Sequence, residues 1–187
     1  MPQLRTVIRL VGVAGLLGLL VVIMLGGGRP LEAGVQAPAT SGTTIDGEDF
    51  DLKRWEGHVV VVNIWATWCG PCLIELPEFA DAAWRWNNEG VRFVGLAVDS
   101  PPADIPRVIE RFQVPYPIVP INGRTQGAWN ATSIPSTFIV KADGTVAWSV
   151  RGAIHGHELD EILHEVTGRP TPAARPAPAM PAAPASP

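Results

Sequence analysis

The sequence predicts an α/β domain, and three stretches carry that prediction. From Val59 to Trp65 runs an apolar segment rich in β-branched residues, of a length that suits a strand buried on both faces. After it, Leu73, Leu76 and Phe79 with Ala80 recur at helical spacing. Residues 156–166 place Leu159, Ile162, Leu163 and Val166 at i, i+3, i+4 and i+7, the apolar stripe of an amphipathic helix. With 187 residues and 47% of them hydrophobic, one domain with appendages is expected. The formal charge of −4 comes with no basic stripe, so nucleic-acid binding has no electrostatic support.

The first appendage is N-terminal. Arg5 and Arg9 precede an uncharged run from Leu10 that Gly26, Gly27 and Gly28 extend to Arg29. Its length approaches the ~20 residues of a bilayer-spanning helix, and it has no polar face. Residues 1–28 are therefore expected to be a retained transmembrane signal-anchor. A cleaved signal is the alternative, but the small-residue site at Val35, Gln36 and Ala37 is spoiled by Pro38. More positive charge before the span than after it predicts a cytoplasmic N-terminus. The remainder would then face the periplasm or cell exterior from the cytoplasmic (inner) membrane, where disulfides persist. No cysteine lies near the span, which excludes a lipoprotein anchor.

Residues 29–41 mix Pro, Gly, Ala and Thr and read as a linker, with the folded domain expected over 42–168. Asp46 and Gly47 are a turn signal for a short hairpin over residues 43–52. The strand from Val59 and the helix after Cys72 follow. Pro77 is expected to kink that helix, and Asn88 to Gly90 to stop it. A buried strand is expected from Val91 to Val98 and a helix over residues 104–112. Tyr116 to Ile121 reads as a strand or an irregular extended piece, because Pro115, Pro117 and Pro120 limit its pairing. A short helix is expected at residues 127–131. A hairpin of residues 137–140 and 145–150 turns through Asp143 and Gly144. Past Gly168, residues 169–187 are almost pure Pro and Ala, a composition that forms no core and is expected to be disordered.

The chemistry lies in the only two cysteines, Cys69 and Cys72, where a strand hands over to a helix N-terminus. Unpaired backbone N–H groups and the positive end of the helix dipole favour a thiolate there. Cys69, at the helix start, is expected to be the nucleophile, and Cys72, a turn deeper, the resolving thiol. Pro71 suits the first helical turn, where its missing N–H costs little. A zinc site would need a second ligand pair, and the sequence offers only His155 and His157 on a loop. Two inert core cysteines are the other bland reading.

Trp68-Cys69-Gly70-Pro71-Cys72 resembles the thioredoxin active-site motif. Residues 62–69 and 72–77 resemble the membrane-anchored TlpA/ResA/DsbE-type branch of thioredoxin-like proteins, and the likeness runs from about Phe50 to Val166. The resemblance implies a thioredoxin-like fold: a central mixed sheet flanked by helices, with an N-terminal strand extension. It implies that Pro135 is a cis-proline facing the cysteine pair, which frees the Ile134 backbone to pair with an extended substrate. Trp68, Gly70, Pro71, Ile134 and Pro135 then form the substrate-contacting surface.

Asn63 stands where cytoplasmic thioredoxins carry a buried acid, and Glu75 matches a carboxylate that the anchored branch places near the cysteines. Three residues from Cys72, Glu75 shares its helix side and can take the proton from Cys72. Its bland reading is a solvated helix glutamate. Glu78, Asp81 and Asp99 are expected to be solvated or strand-end charges. Trp65 and Trp68 are expected to pack the core and shield the site.

The implied activity is extracytoplasmic protein-disulfide exchange without a cofactor other than the Cys69–Cys72 disulfide itself. No cation stands between the cysteines to over-stabilise a thiolate, which favours a reductase over an oxidase. Expected partners are disulfide-bearing protein substrates, apocytochrome c among them, and an integral-membrane electron donor. The chain itself is expected to be a monomer. A disulfide oxidase, a copper-delivery protein using both thiolates, and a redox-inert binding module are the competing readings.

Overall fold

The structure, a computed structural model, describes residues 31–173. The anchor expected at residues 1–28 and the tail beyond Ala173 lie outside the described residues.

Residues 31–41, expected to be linker, are bonded to the domain. Gly34 N donates to Val146 O at 2.8 Å, Val146 N donates to Val35 O at 2.8 Å, and Gln36 bridges Thr145. Ser149 Oγ donates to Leu31 O at 2.6 Å. The segment thereby covers a sheet edge whose backbone groups would otherwise be open. Such pairing uses main-chain atoms, so a Pro- and Ala-rich composition does not announce it.

Strands β1 (Ser41–Thr43) and β2 (Asp49–Asp51) form the small antiparallel hairpin, with Ser41 opposite Asp51. Gly47 takes the left-handed φ of +87° that the turn requires. A 3-10 turn at Leu52–Trp55 then leads into β3 (Val59–Trp65). Helix α1 (Gly70–Trp86) follows, running through Pro77 without interruption, and Gly90 at φ +78° turns the chain into β4 (Val91–Val98).

Helix α2 (Ile105–Phe112) crosses to β5 (Ile118–Ile121). The next helix, α3 (Gly123–Ala128), lies upstream of the expected residues 127–131. The reason is local: the Asn122 side chain accepts from Arg124 N and Thr125 N at 3.0 and 3.1 Å, an N-cap that starts the helix early. The chain closes with β6 (Ser136–Val140), β7 (Val146–Arg151) and α4 (Gly156–Thr167), which Gly168 terminates at φ +68°.

The main sheet has the order β5-β4-β3-β6-β7. Strands β3, β4 and β5 are parallel, while β6 and β7 run antiparallel to their neighbours, so the sheet is mixed. Pro120 is tolerated because β5 is an edge.

Alternation along the central strand divides its side chains between two cores. Val61 and Trp65 pack with Leu76, Phe79, Leu159 and Leu163 of α1 and α4. Val60, Val62 and Ile64 pack with Phe138 and Trp129 on the other face. A strand buried on both faces reads as a continuous apolar run for this reason.

Gly95 sits opposite Asn63 in the β3–β4 pairing, and no larger residue fits there. A Cβ built on it would lie 2.4 Å from Ile118 Cδ1 and 2.8 Å from Trp65 Nε1. The isoleucine tip can turn aside; the fully buried indole has nowhere to go. Gly95→Ala should therefore cost about 1–3 kcal/mol by overpacking, read as a lower urea midpoint with unchanged slope. An unchanged midpoint would show that the indole moves freely.

Candidate active site

The strand–helix junction places the cysteines as expected. Cys69 is the N-cap of α1, with φ −85° and ψ 103°, and its sulfur accepts from the Cys72 N–H at 3.3 Å. Pro71 stands in the first turn. Cys69 and Cys72 are joined as a disulfide with Cα atoms 5.3 Å apart. Cys69 keeps 5% of its surface exposed and Cys72 none, so the helix-start sulfur is the one an incoming partner reaches.

Trp68, next to Cys69 in the chain, is 63% exposed. Its indole N–H donates to the Asp99 carbonyl at 2.8 Å, while Thr67 N donates to Ser100 Oγ at 3.0 Å. Asp99 itself adopts φ +43°. Asp99 was expected only as a strand-end charge; here its backbone, not its carboxylate, holds the tryptophan. A backbone role of this kind leaves no mark in side-chain identity. Trp65, by contrast, is fully buried as expected.

The Ile134–Pro135 bond is cis. Ile64 pairs with Ser136, so Pro135 lies beside the end of β3 from which the Cys69 loop departs. Its carbonyl accepts from Gly152 N at 2.8 Å, which ties the proline to the segment leading into α4. Ile134 is partly exposed, whereas Pro135 is buried.

Glu75 is 2% exposed, which removes the solvated reading. Its Oε1 accepts from Asn63 Nδ2 at 2.8 Å, and its Oε2 accepts from Ile154 N at 3.3 Å. Asn63 Nδ2 also donates to Thr137 Oγ1 at 3.1 Å. Asn63 of β3 and the backbone before α4 thus meet at one carboxyl group of α1, and Asn63 carries the network on to Thr137 of β6. Burial raises its pKa from 4.5 to about 7, against the lowering by the Asn63 and Ile154 hydrogen bonds, and the Glu78 charge adds to the rise. The buried Tyr116 hydroxyl is pushed up as well, first by burial and then by Glu75. Tyr116, two residues before β5, is a neighbour of Glu75 that local pattern does not reveal, because the two lie far apart along the chain.

Glu78 and Asp81 keep the solvent exposure expected of them, with side chains 39% and 46% exposed, and each also has a partner. Gly156 N and His155 Nδ1 both approach the Glu78 carboxylate, the latter at 3.4 Å, so Glu78 steadies the start of α4. Asp81 pairs with Arg85 at 3.0 Å, and Arg85 pairs in turn with Asp160 at 2.7 Å. The rings of His155 and His157 stack at 5.7 Å. Among the described residues, no three His, Cys, Asp or Glu side chains gather as a metal site.

The Glu75 pKa has a consequence for stability. Unfolded, the group ionises near 4.5; folded, it holds its proton to about 7. The unfolded chain therefore loses the proton first as pH rises. Stability falls between these values, and the full cost, on the order of 3 kcal/mol, stands above pH 7. Glu75→Gln should remove that slope and stabilise the oxidised protein by about 1–3 kcal/mol at pH 8, measured by urea unfolding across pH 4–8. Parallel curves for the two proteins would show that the carboxyl is not held neutral.

Residues 33–149 match the AhpC/TSA family. The chain is 25% identical over 138 residues to the thiol-disulfide oxidoreductase ResA of Bacillus thuringiensis subsp. konkukian, covering 73% of this chain and 80% of that protein. To ResA of Geobacillus kaustophilus it is 28% identical over 138 residues, covering 73% and 79%. Among solved structures, a thioredoxin-family thiol:disulfide interchange protein from Chlorobium tepidum superposes with a TM-score of 0.67 at 29% identity, over 75% of this chain and 98% of that one. A secreted Mycobacterium tuberculosis disulfide oxidoreductase homologous to E. coli DsbE shares the fold, with a TM-score of 0.61 at 24% identity over 68% and 96%. The chain belongs to the AhpC/TSA family and, within it, to the thioredoxin-like thiol-disulfide oxidoreductases of the TlpA/ResA/DsbE type.

Proposed function

We propose that this oxidoreductase works outside the cytoplasm as a reductase of disulfides in exported proteins, tethered to the inner membrane by residues 1–28. The observation that carries the direction is Glu75, buried on the same side of α1 as Cys72 and three residues from it. Residues so spaced on a helix stand roughly 5–6 Å apart at Cβ. A carboxylate there opposes thiolate formation and so withholds the stabilisation of the reduced state that makes a strong oxidant.

The cycle begins with the reduced pair. The Cys69 thiolate attacks one sulfur of a substrate disulfide; that S–S bond breaks, a mixed disulfide forms, and the departing substrate sulfur takes up a proton. Glu75 accepts the proton of Cys72, whose thiolate then attacks Cys69 Sγ. The mixed disulfide breaks, the second substrate thiol leaves with a proton, and the Cys69–Cys72 bond closes. Two electrons have passed to the substrate. An integral-membrane dithiol donor has to return them, since no reductant pool is kept outside the cytoplasm. Ile134 and Pro135 would align the substrate backbone beside Cys69, with Trp68, Gly70 and Pro71 forming the rest of the contact. Apocytochrome c is the substrate suggested by the TlpA/ResA/DsbE type.

Trapping tests the roles. Full-length Cys72→Ala should accumulate mixed disulfides with exported proteins and Cys69→Ala should not, while Glu75→Gln should slow product release about tenfold near pH 7 and leave the first attack intact. Trapping on Cys72 instead would reverse the assignment. An equilibrium potential measured against glutathione should fall toward the ~−270 mV of thioredoxin; a value near the ~−120 mV of DsbA would make the protein an oxidase.

The anchor is tested separately. Fractionation should find the full-length chain in membranes and resistant to high salt. A soluble chain beginning near residue 38 would identify the leading segment as a cleaved signal.

A further inference from the structure

The loop that carries Ile134 and Pro135 leaves α3 at Trp129, which is fully buried, and ends where Ser136 opens β6. Between these fixed ends the chain is open to solvent. Thr132 and Ser133 are exposed, and Ile134 is partly so. Holding such a loop in one conformation costs backbone entropy, which side-chain packing here does little to offset.

Hydrogen bonds supply the order instead. Ser136 Oγ donates to Ser133 O at 2.7 Å, within the exit of the loop itself. The other two come from the end of β7, from neighbouring residues. Gly152 N donates to Pro135 O at 2.8 Å, and Arg151 Nη2 donates to Asn130 O at 2.7 Å. They grip the loop at its two ends. Asn130 is the residue that turns the chain out of α3, with a left-handed φ of +50°, and its carbonyl also accepts from Thr132 N at 3.1 Å. Of the two bonds from β7, only the one at Asn130 is made by a side chain.

Nothing else accounts for a charge at Arg151. Its backbone pairs with Ser136, as that of any residue could. Its Nε is buried without a hydrogen-bond partner, and among the described residues no Asp or Glu forms an ion pair with it. A guanidinium keeps its charge, so this one is partly desolvated against a neutral carbonyl with no counter-charge. An apolar side chain of the same length would suit stability better. What the guanidinium supplies is a rigid, directed donor.

We infer that Arg151 is a positioning residue for substrate capture, fixing the Asn130 carbonyl and with it the course of residues 130–135, so that the Ile134 backbone is held ready to pair with an extended substrate. This role rests on the proposal that Ile134 and Pro135 align the substrate. The side-chain bond of Arg151 goes to the loop and not to Glu75 or the cysteines. Its loss therefore weakens the binding of a peptide before and during sulfur exchange alike, and leaves the exchange itself unchanged.

The test is steady-state reduction by the full-length chain, recharged by an excess of a dithiol. One substrate is an extended peptide bearing a disulfide; the other is a small-molecule disulfide with no backbone to pair. Arg151→Met keeps the length of the side chain and removes its donors. It should raise KM for the peptide about tenfold with kcat within about twofold, the signature of lost uniform binding. Both constants for the small disulfide should stay as in the wild type, which reports an intact fold. Arg151→Lys keeps the charge without the fork and should show the same split at about threefold. A peptide N-methylated at the residue opposite Ile134 probes the strand pairing itself. Equal KM for methylated and unmethylated peptides in the wild type would remove the pairing at Ile134, and the role of Arg151 with it. A wild type that discriminates them, with peptide KM unchanged in both Arg151 variants, overturns the role of Arg151 alone. Equal losses on peptide and small disulfide would make Arg151 a residue of the fold and overturn it as well.

Discussion

The buried carboxyl of Glu75 is the constraint around which the site is assembled. An acid at 2% exposure is tolerated only if its oxygens are bonded or its proton retained, and here both conditions operate. Asn63 from the central strand and the Ile154 N–H before α4 each occupy one oxygen. Asn63 is in turn shared with Thr137 of β6. One carboxyl therefore registers the cysteine helix against two strands and against the start of the last helix. It also leaves the group ionising close to neutrality, the range in which a proton acceptor is useful.

That registration reaches the substrate side through the backbone. The segment bonded to Glu75 at Ile154 is bonded at Gly152 to the carbonyl of Pro135. Glu78, one turn beyond Glu75, holds the same segment at Gly156. The cysteine helix thus grips the lead-in to α4 at two points, and that lead-in grips the proline loop. On the other flank, Asp99 and Ser100 hold Trp68 and Thr67. Cys69 stands between two loops that are each fastened by main-chain atoms, which keeps a reactive sulfur in place without enclosing it.

The sheet supplies the rigidity that these contacts need. The central strand has helices on one face and Trp129 and Phe138 on the other, and Gly95 beside it leaves just the room that the Trp65 indole occupies. The edges are treated differently. The β5 edge carries Pro120, while β7 is covered by residues 34–36, so backbone pairing extends the domain upstream of the hairpin.

Much of this was legible in order along the chain. An apolar β-branched run, two cysteines and an apolar helical spacing are local patterns, and local patterns determined β3, α1, β4, α2, the β6–β7 hairpin and α4 to within a residue or two. The cysteine pair and its helix-capping position follow from sequence neighbours alone, because an N-cap is made by adjacent residues. Only the tertiary structure decided what Glu75, Glu78, Asp81, Asp99 and Tyr116 do. A charged side chain on a helix is solvated or buried according to what packs over it, and the partners here lie as many as 79 residues away. It also decided that residues 31–41 belong to the domain, since edge pairing is made by backbone groups that every residue carries alike.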